Sequence, residues 1–349
     1  MLTMLAAVFH KKENNGGEIK LEEVERPSIT RSDQVLIEVK ASGICGTDLK
    51  IMEGKHPAND NIILGHEFTG IVKEIGENVQ DLKIGDKVVV DPNEKCGYCV
   101  NCRRGLSNLC EYMALGTTFG IFQNGGFTKY CVLPRNSLFK LPKDIDLIEA
   151  ALIEPLSCAV HCHNIADVKE SDNVVIIGAG PMGLIIESIL RKHPIKRLIS
   201  IELDEWRLNK ALELGADYVV NPKHEDPKKR IFEITKNNGA DVIIDAVGIA
   251  DTFEMATRIW APGARLICFG QDSKAVAKIK PNEIVRYQRK IMGSYIGTAQ
   301  DFLDAIELVS NKIIEINKLI TSTIPLERLI DTGFRLMKER KCVKIITIP

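Results

Sequence analysis

Val174-Val175-Ile176-Ile177-Gly178-Ala179-Gly180-Pro181-Met182-Gly183 is the stretch from which the rest of this chain can be read. Four β-branched residues in a row suggest a buried strand. Three glycines follow at G-x-G-x-x-G spacing, and a helical pattern follows them. In that context each glycine has a task. Gly178 makes the turn, Gly180 lets backbone approach a pyrophosphate, and Gly183 lets the helix pack closely on the strand. The helix N-terminus, opening at Pro181 and Met182, attracts the negative charge.

A second strand, Arg197 to Glu202, ends on a carboxylate 24 residues after Gly178. A dinucleotide fold places an acid about 20 residues on, to bind the adenosine ribose. Glu202 fills that role and repels a 2′-phosphate, so NAD is expected over NADP. Arg207, in the predicted helix Glu205–Leu214, is counted with the cofactor-binding residues. Further strands are expected at Tyr218–Val220, Asp241–Asp245, Arg265–Phe269 and Lys290–Met292, with helices near Lys228–Lys236 and Thr252–Trp260. Strands alternating with helices of this length predict a doubly wound parallel sheet. The run Asp226-Pro-Lys-Lys-Arg230 reads as a solvated helix start.

Working back toward the N-terminus, the texture changes to short strands and turns. Val35–Val39, Gly70–Ile75 and Lys87–Val90 are β-branched runs bounded by glycines or charges, and no helical period is sustained. Within this β-rich half lies Cys96-Gly-Tyr-Cys99-Val-Asn-Cys102, with Cys110 eight residues on. Paired C-x2-C spacing suits a closed tetrahedral zinc site, which orders a lobe and leaves no position for chemistry. Incidental buried thiols or an iron–sulfur site are the competing readings.

Cys45, in Gly43-Ile-Cys45-Gly-Thr47-Asp48, lies outside that cluster, and Leu64-Gly65-His66-Glu67 follows. A thiolate, an imidazole and a carboxylate make a mixed ligand set of the kind that leaves a coordination position open. Each residue has a plainer role available: Cys45 as a buried thiol, His66 and Glu67 as a hydrogen-bonded pair, Thr47 as a strand residue. Asp48 reads either as a turn carboxylate or as the acceptor that orients His66.

Composition narrows the class. At 349 residues the chain is long enough for two domains, and 45% hydrophobic with 27% charged residues is ordinary globular material. A formal charge of −1 offers no polyanion-binding face, so neither nucleic acid nor membrane is expected as a partner. No run reaches the roughly 20 apolar residues of a membrane span. Met1 to Phe9 lacks a basic leader and reads as a first strand, so a cytoplasmic protein is expected. An amphipathic helix at Asp301–Ser310 and a closing strand at Val343–Ile348 complete the chain, the strand returning to the first domain.

With these motifs in place, the chain resembles the zinc-containing medium-chain dehydrogenases, the alcohol, sorbitol and threonine dehydrogenase family. The resemblance runs end to end through Cys45-Gly-Thr47-Asp48, Gly65-His66-Glu67, the four-cysteine lobe, Ala151-Leu-Ile-Glu154-Pro-Leu156 and Gly178 to Gly183. It implies a GroES-like catalytic domain over residues 1–156, with the zinc lobe near 92–112. A Rossmann domain would span 157–292, and a segment 293–349 would return to the catalytic part. It further implies catalytic zinc on Cys45 and His66, with Glu67 or Glu154 completing the set, and a proton-relaying hydroxyl at Thr47. The Glu154-Pro-Leu-Ser context points to the polyol and threonine branches. One departure stands out: many relatives carry a relay histidine where this chain has Lys50.

The expected reaction is oxidation of a secondary hydroxyl of a polyol to the ketone, with zinc as Lewis acid and NAD as hydride acceptor. A polyol phosphate (met by Lys50 with Lys55 or His56) or a threonine-type amino alcohol is the alternative substrate. A zinc-ribbon nucleic-acid module and an inert NAD- and zinc-binding protein are readings from other classes. The resemblance also implies a homodimer or homotetramer formed near Ile291–Ile296.

Overall fold

The computed structural model describes residues 2–13 and 16–349. Its chain divides into two compact units, Met1–Pro155 with Thr298–Pro349, and Leu156–Gly297.

The first unit is built mainly on antiparallel strands, with its last two, Ile320–Pro325 and Lys344–Ile348, pairing parallel. β1 (Thr3–Lys11), β2 (Gly17–Glu25), β3 (Gln34–Gly43), helix α1 (Gly46–Met52), β4 (Ile62–Ile63), β5 (Glu67–Ile75) and β6 (Lys87–Val90) come first. Helix α2 (Val100–Arg103), β7 (Tyr130–Pro134), β8 (Leu138–Lys140) and α3 (Leu147–Ala150) follow. Helix α4 (Ile153–Ala166) then carries the chain into the second unit. β2, β1 and β4 make a small sheet, and β3 anchors a larger one. The strand expected at Met1–Phe9 is Thr3–Lys11, and Met1 lies outside the described residues.

The second unit alternates strictly: β9 (Asn173–Ile177), α5 (Pro181–Leu190), β10 (Arg197–Ile201), α6 (Glu205–Leu214), β11 (Tyr218–Val220), α7 (Pro227–Ile234), β12 (Ala240–Asp245), α8 (Ala250–Ile259), β13 (Trp260–Cys268), α9 (Pro281–Tyr287) and β14 (Lys290–Gly293). All six strands are parallel, in the order β11-β10-β9-β12-β13-β14. β9 sits at the middle and is buried along its whole length, as the unbroken apolar run requires. The strand order reverses beside β9, and the crevice at such a reversal is where open sheets of this kind bind ligands. Asp226 caps α7 by accepting the Lys228 amide at 2.8 Å, so the charged run there is a helix start.

After Gly297 the chain rejoins the first unit through α10 (Ala299–Ser310), β15 (Ile320–Pro325) and β16 (Lys344–Ile348). β16 lies antiparallel to β3, pairing Ile346 with Gly43, and β3 pairs Gly43 with Glu67 of β5 on its other side. The last strand of the chain is thereby set one strand away from Glu67. Among the described residues no helix is long and apolar enough to cross a membrane.

Candidate functional site

Cys45 ends the extended run of β3 and serves as the N-cap of α1, with φ −107° and ψ 154°. Asp48, three residues on, accepts the Cys45 amide at 2.9 Å and so fixes the thiol at the helix start. Helix α1 was not legible in the sequence. Seven residues are too few to display a helical period, and the Gly-Thr-Asp cluster reads as a turn. Thr47 lies in its first turn, its hydroxyl 3.6 Å from Cys45 Sγ. Lys50 is on the exposed side of the same helix.

His66 and Glu67 enter from the start of β5. Gly65 precedes them at φ +91°, where side chains are strained, and a Cβ there would meet the Phe127 ring at 2.8 Å. The turn at Gly65 aims both side chains inward: His66 is buried and Glu67 is 1% exposed. Ligand atoms of Cys45, His66 and Glu67 all lie within 4.8 Å of one another. Glu154, in the first turn of α4, is buried nearby and acts on His66 electrostatically, but it is not one of that closely spaced group.

One participant escaped the sequence analysis. Lys344 of β16, buried, forms an ion pair with Glu67 Oε1. The only local signal is a lysine inside the otherwise apolar run Val343-Lys344-Ile345-Ile346.

The charges explain the site's electrostatics. Burial pushes the Asp48 carboxyl up to about 6, against the pull of His66. Burial likewise raises Glu154, to about 7. For His66, burial opposes the charged ring, but the Cys45 sulfur, then Asp48 and Glu154, outweigh it and raise the imidazole to about 10. Burial opposes the Lys344 ammonium too, and Glu67 and Cys45 more than compensate, raising it. Three carboxylates and a thiol around one ammonium make a pocket that favours a further cation. Glu67 Oε2 is buried without a hydrogen-bond partner among the described residues, which a native fold rarely tolerates unless a ligand takes it up. A sulfur, an imidazole and a carboxylate converging in this way fit a zinc ion with an open position.

The second cysteine group is self-contained. Cys96, Cys99, Cys102 and Cys110 also gather within 4.8 Å, with Sγ–Sγ separations of 3.5 Å (Cys96–Cys110) and 4.0 Å (Cys99–Cys110). Tetrahedral ligands about 2.3 Å from zinc stand about 3.8 Å apart, so the spacing suits the ion. Backbone amides of Cys96, Cys99 and Cys102 point at the sulfurs of Cys110, Cys96 and Cys99. The Cys102 amide is the main cause holding the Cys99 thiol down, at about 6. All four cysteines are free of disulfides.

In the second unit, Gly178 makes its turn at φ +98°, and a Cβ on Gly183 would collide with the Gly178 carbonyl. Around Gly180 the space is open, the nearest atom being Arg207 Nη1 at 3.8 Å from where a Cβ would sit. Pro181 and Met182 open α5. Glu202 follows the end of β10; its Oε2 accepts the Ala179 amide at 3.0 Å and its Oε1 the Leu203 amide at 2.7 Å. Glycine turn, acid and arginine therefore come together at the C-terminal end of the central strands, with the shape a pyrophosphate and ribose need.

Known proteins resemble this chain in sequence and in fold. The family described as alcohol dehydrogenase GroES-like domain matches residues 31–143, and the zinc-binding dehydrogenase family matches residues 181–311. D-xylulose reductase A of Aspergillus oryzae is 30% identical over 336 residues, covering 94% of this chain and 93% of that protein. Sorbitol dehydrogenase of Bacillus subtilis is 30% identical over 351 residues, covering 99% and 97%. Among solved structures, a zinc-binding dehydrogenase of Sinorhizobium meliloti bound to NADP superposes with a TM-score of 0.91 at 30% identity, over the whole of both chains. An alcohol dehydrogenase (rspB) of Escherichia coli complexed with NADH gives 0.89 at 29% identity, covering 99% of each.

Proposed function

This chain belongs to the zinc-containing medium-chain dehydrogenase family, and from that premise we propose that it is the NAD-dependent polyol dehydrogenase its site residues suggest. The reaction is oxidation of a secondary alcohol: the substrate loses a hydroxyl proton and a carbon-bound hydride, NAD takes the hydride, and the ketone and NADH leave. The observation that carries this reading is the convergence of Cys45, His66 and Glu67 within 4.8 Å in a buried, anion-rich pocket.

Zinc held by Cys45, His66 and Glu67, with Glu154 close by, supplies Lewis acidity that favours loss of the hydroxyl proton. The protein's own residues do the rest. Asp48 orients His66, Lys344 holds Glu67, and the Thr47 hydroxyl, beside Cys45, carries the proton away. Beyond Thr47 the relay uses water and ribose hydroxyls, since Lys50, an exposed residue, occupies the place of the usual histidine. The lobe of Cys96, Cys99, Cys102 and Cys110 holds a second, structural zinc. Gly178, Gly180, Pro181, Met182 and Gly183 receive the pyrophosphate, and Glu202 with Arg207 the adenosine ribose.

The polyol assignment draws on the resemblance to sorbitol dehydrogenase and on the Glu154-Pro155 context. A phosphorylated substrate is less well served, because Lys55 already pairs with Glu53 at 2.7 Å and His56 Nδ1 bonds the Pro57 carbonyl group. The ten cysteines without disulfides fit a cytoplasmic setting. A homodimer or homotetramer is supported by β14, which ends its sheet with one neighbour and leaves Ile291 exposed, as is Tyr295 just beyond it. A panel of polyols, polyol phosphates and amino alcohols followed by NADH absorbance tests the proposal. Turnover of polyols above the other two classes is expected. Zinc-loaded protein that turns over none of the polyols would sink it.

A further inference from the structure

The two oxygens of Glu67 have different surroundings. Oε1 is taken by Lys344 Nζ, with both side chains no more than 2% exposed. Oε2 is buried and makes no hydrogen bond among the described residues. Strand geometry enforces the difference. Gly43 of β3 stands between Glu67 of β5 and the β16 backbone, and a Cβ on Gly43 would collide with Glu67 Oε2. Only over a glycine can the carboxylate from one strand meet the ammonium from the strand beyond.

We propose that Lys344 is a positioning residue that confines Glu67 to a single donor oxygen, and so keeps one coordination position open for substrate. The inference rests on the reading that Cys45, His66 and Glu67 hold zinc. A carboxylate can bind a metal through one oxygen or both. With Lys344 present, Oε1 is engaged and Oε2 alone is available beside Cys45 and His66. Without it, Oε1 becomes a buried anionic oxygen with no partner, a costly state that binding the metal through both oxygens relieves. The second oxygen then adds a fifth donor that crowds the position the substrate needs. Lys344 thus acts on catalysis through Glu67 and touches neither substrate nor cofactor.

The test uses full-length protein in which Co²⁺ replaces zinc at Cys45 while zinc stays in the cysteine lobe, with visible absorption and imidazole titration as readouts. Four-coordinate Co²⁺ absorbs several times more strongly than five-coordinate Co²⁺. Wild type and Lys344→Arg are expected to show the strong spectrum and to bind imidazole at the open position. Lys344→Met is expected to retain cobalt, lose most of that intensity and bind imidazole about tenfold more weakly or worse. Adding Glu67→Gln to Lys344→Met restores imidazole binding, because an amide offers one oxygen; a merely structural role for Lys344 predicts no such rescue. Lys344→Met with wild-type spectrum and imidazole affinity overturns the proposal. If that variant does not fold, Lys344→Arg decides alone, and a folded arginine variant lacking the strong spectrum overturns it. Cobalt uptake unaffected by Cys45→Ala would instead overturn the metal reading itself, whatever Lys344 does.

Discussion

Asp48 Oδ1 stands 3.6 Å from His66 Nδ1, with Asp48 fully buried, while its other oxygen accepts the Cys45 amide. One carboxylate therefore steadies two proposed zinc ligands at once. Asp48→Asn keeps the helix cap and removes the charge. Outer carboxylates of this kind alter metal affinity by about 10–100-fold, and a loss in that range is expected at the catalytic site with the cysteine lobe unaffected. Zinc competition against a graded chelator measures it. An unchanged midpoint for the first zinc released would show that Asp48 only caps the helix.

Cys45→Ala and His66→Ala each remove a proposed zinc ligand. Turnover is expected to vanish and metal content to fall from about two zinc per chain to about one, the lobe zinc remaining. NAD binding, followed by fluorescence quenching, survives, because the glycine turn lies in the other compact unit. Full activity in a variant shown to hold one zinc would remove the mechanism.

Glu202 ties Ala179 to the end of β10, and in the proposed cofactor site it would also repel a 2′-phosphate. Glu202→Ala is expected to narrow the preference for NAD over NADP by about tenfold, since about 1.4 kcal/mol of discrimination corresponds to that factor. It should also raise the KM for NAD as the glycine turn loosens. The ratio of kcat/KM values for the two cofactors decides the matter, and an unchanged ratio would count against the ribose role.

Glu187 on α5 is buried with neither carboxylate oxygen hydrogen-bonded at normal geometry among the described residues, and burial, only partly offset by nearby Ser200, raises its carboxyl from the ordinary 4.5 to about 7. Because the folded value lies above the unfolded one, the stability it contributes is complete below about 4.5. That contribution is lost as pH climbs through 7. Glu187→Gln cannot ionise and is expected to flatten this decline, so that the variant matches wild type near pH 4.5 and exceeds it at pH 8. Urea midpoints across that range are the measurement. Parallel curves for the two proteins would mean that Glu187 ionises freely in the folded state.

Much of this was legible because it is local. The run Val174–Gly183, the cysteine spacing from Cys96 to Cys110 and the Gly65-His66-Glu67 turn are each set by neighbours within a few residues, where backbone sterics and ligand spacing act directly. Strand and helix types in the second unit followed for the same reason. Their ends moved by up to five residues, as with β13, expected from Arg265 and found from Trp260. Helix α1 was missed because its only start signals, Cys45 and Asp48, acquire meaning once β3 delivers them to a buried corner.

By itself, then, the sequence determined the two kinds of sheet, the cofactor turn, the cysteine lobe and the identities of Cys45, His66, Glu67 and Glu154 as candidates. Tertiary structure alone decided their relations: that Cys45, His66 and Glu67 converge while Glu154 stands just beyond, and that Lys344, 277 residues from Glu67, takes one of its oxygens. The reason is physical. Backbone preferences and ligand spacing act over a few residues, whereas a buried ion pair forms between whichever side chains strand pairing brings together. Here the pairing of β16 with β3 and of β3 with β5, across Gly43, puts a lysine from the last strand against the carboxylate next to His66.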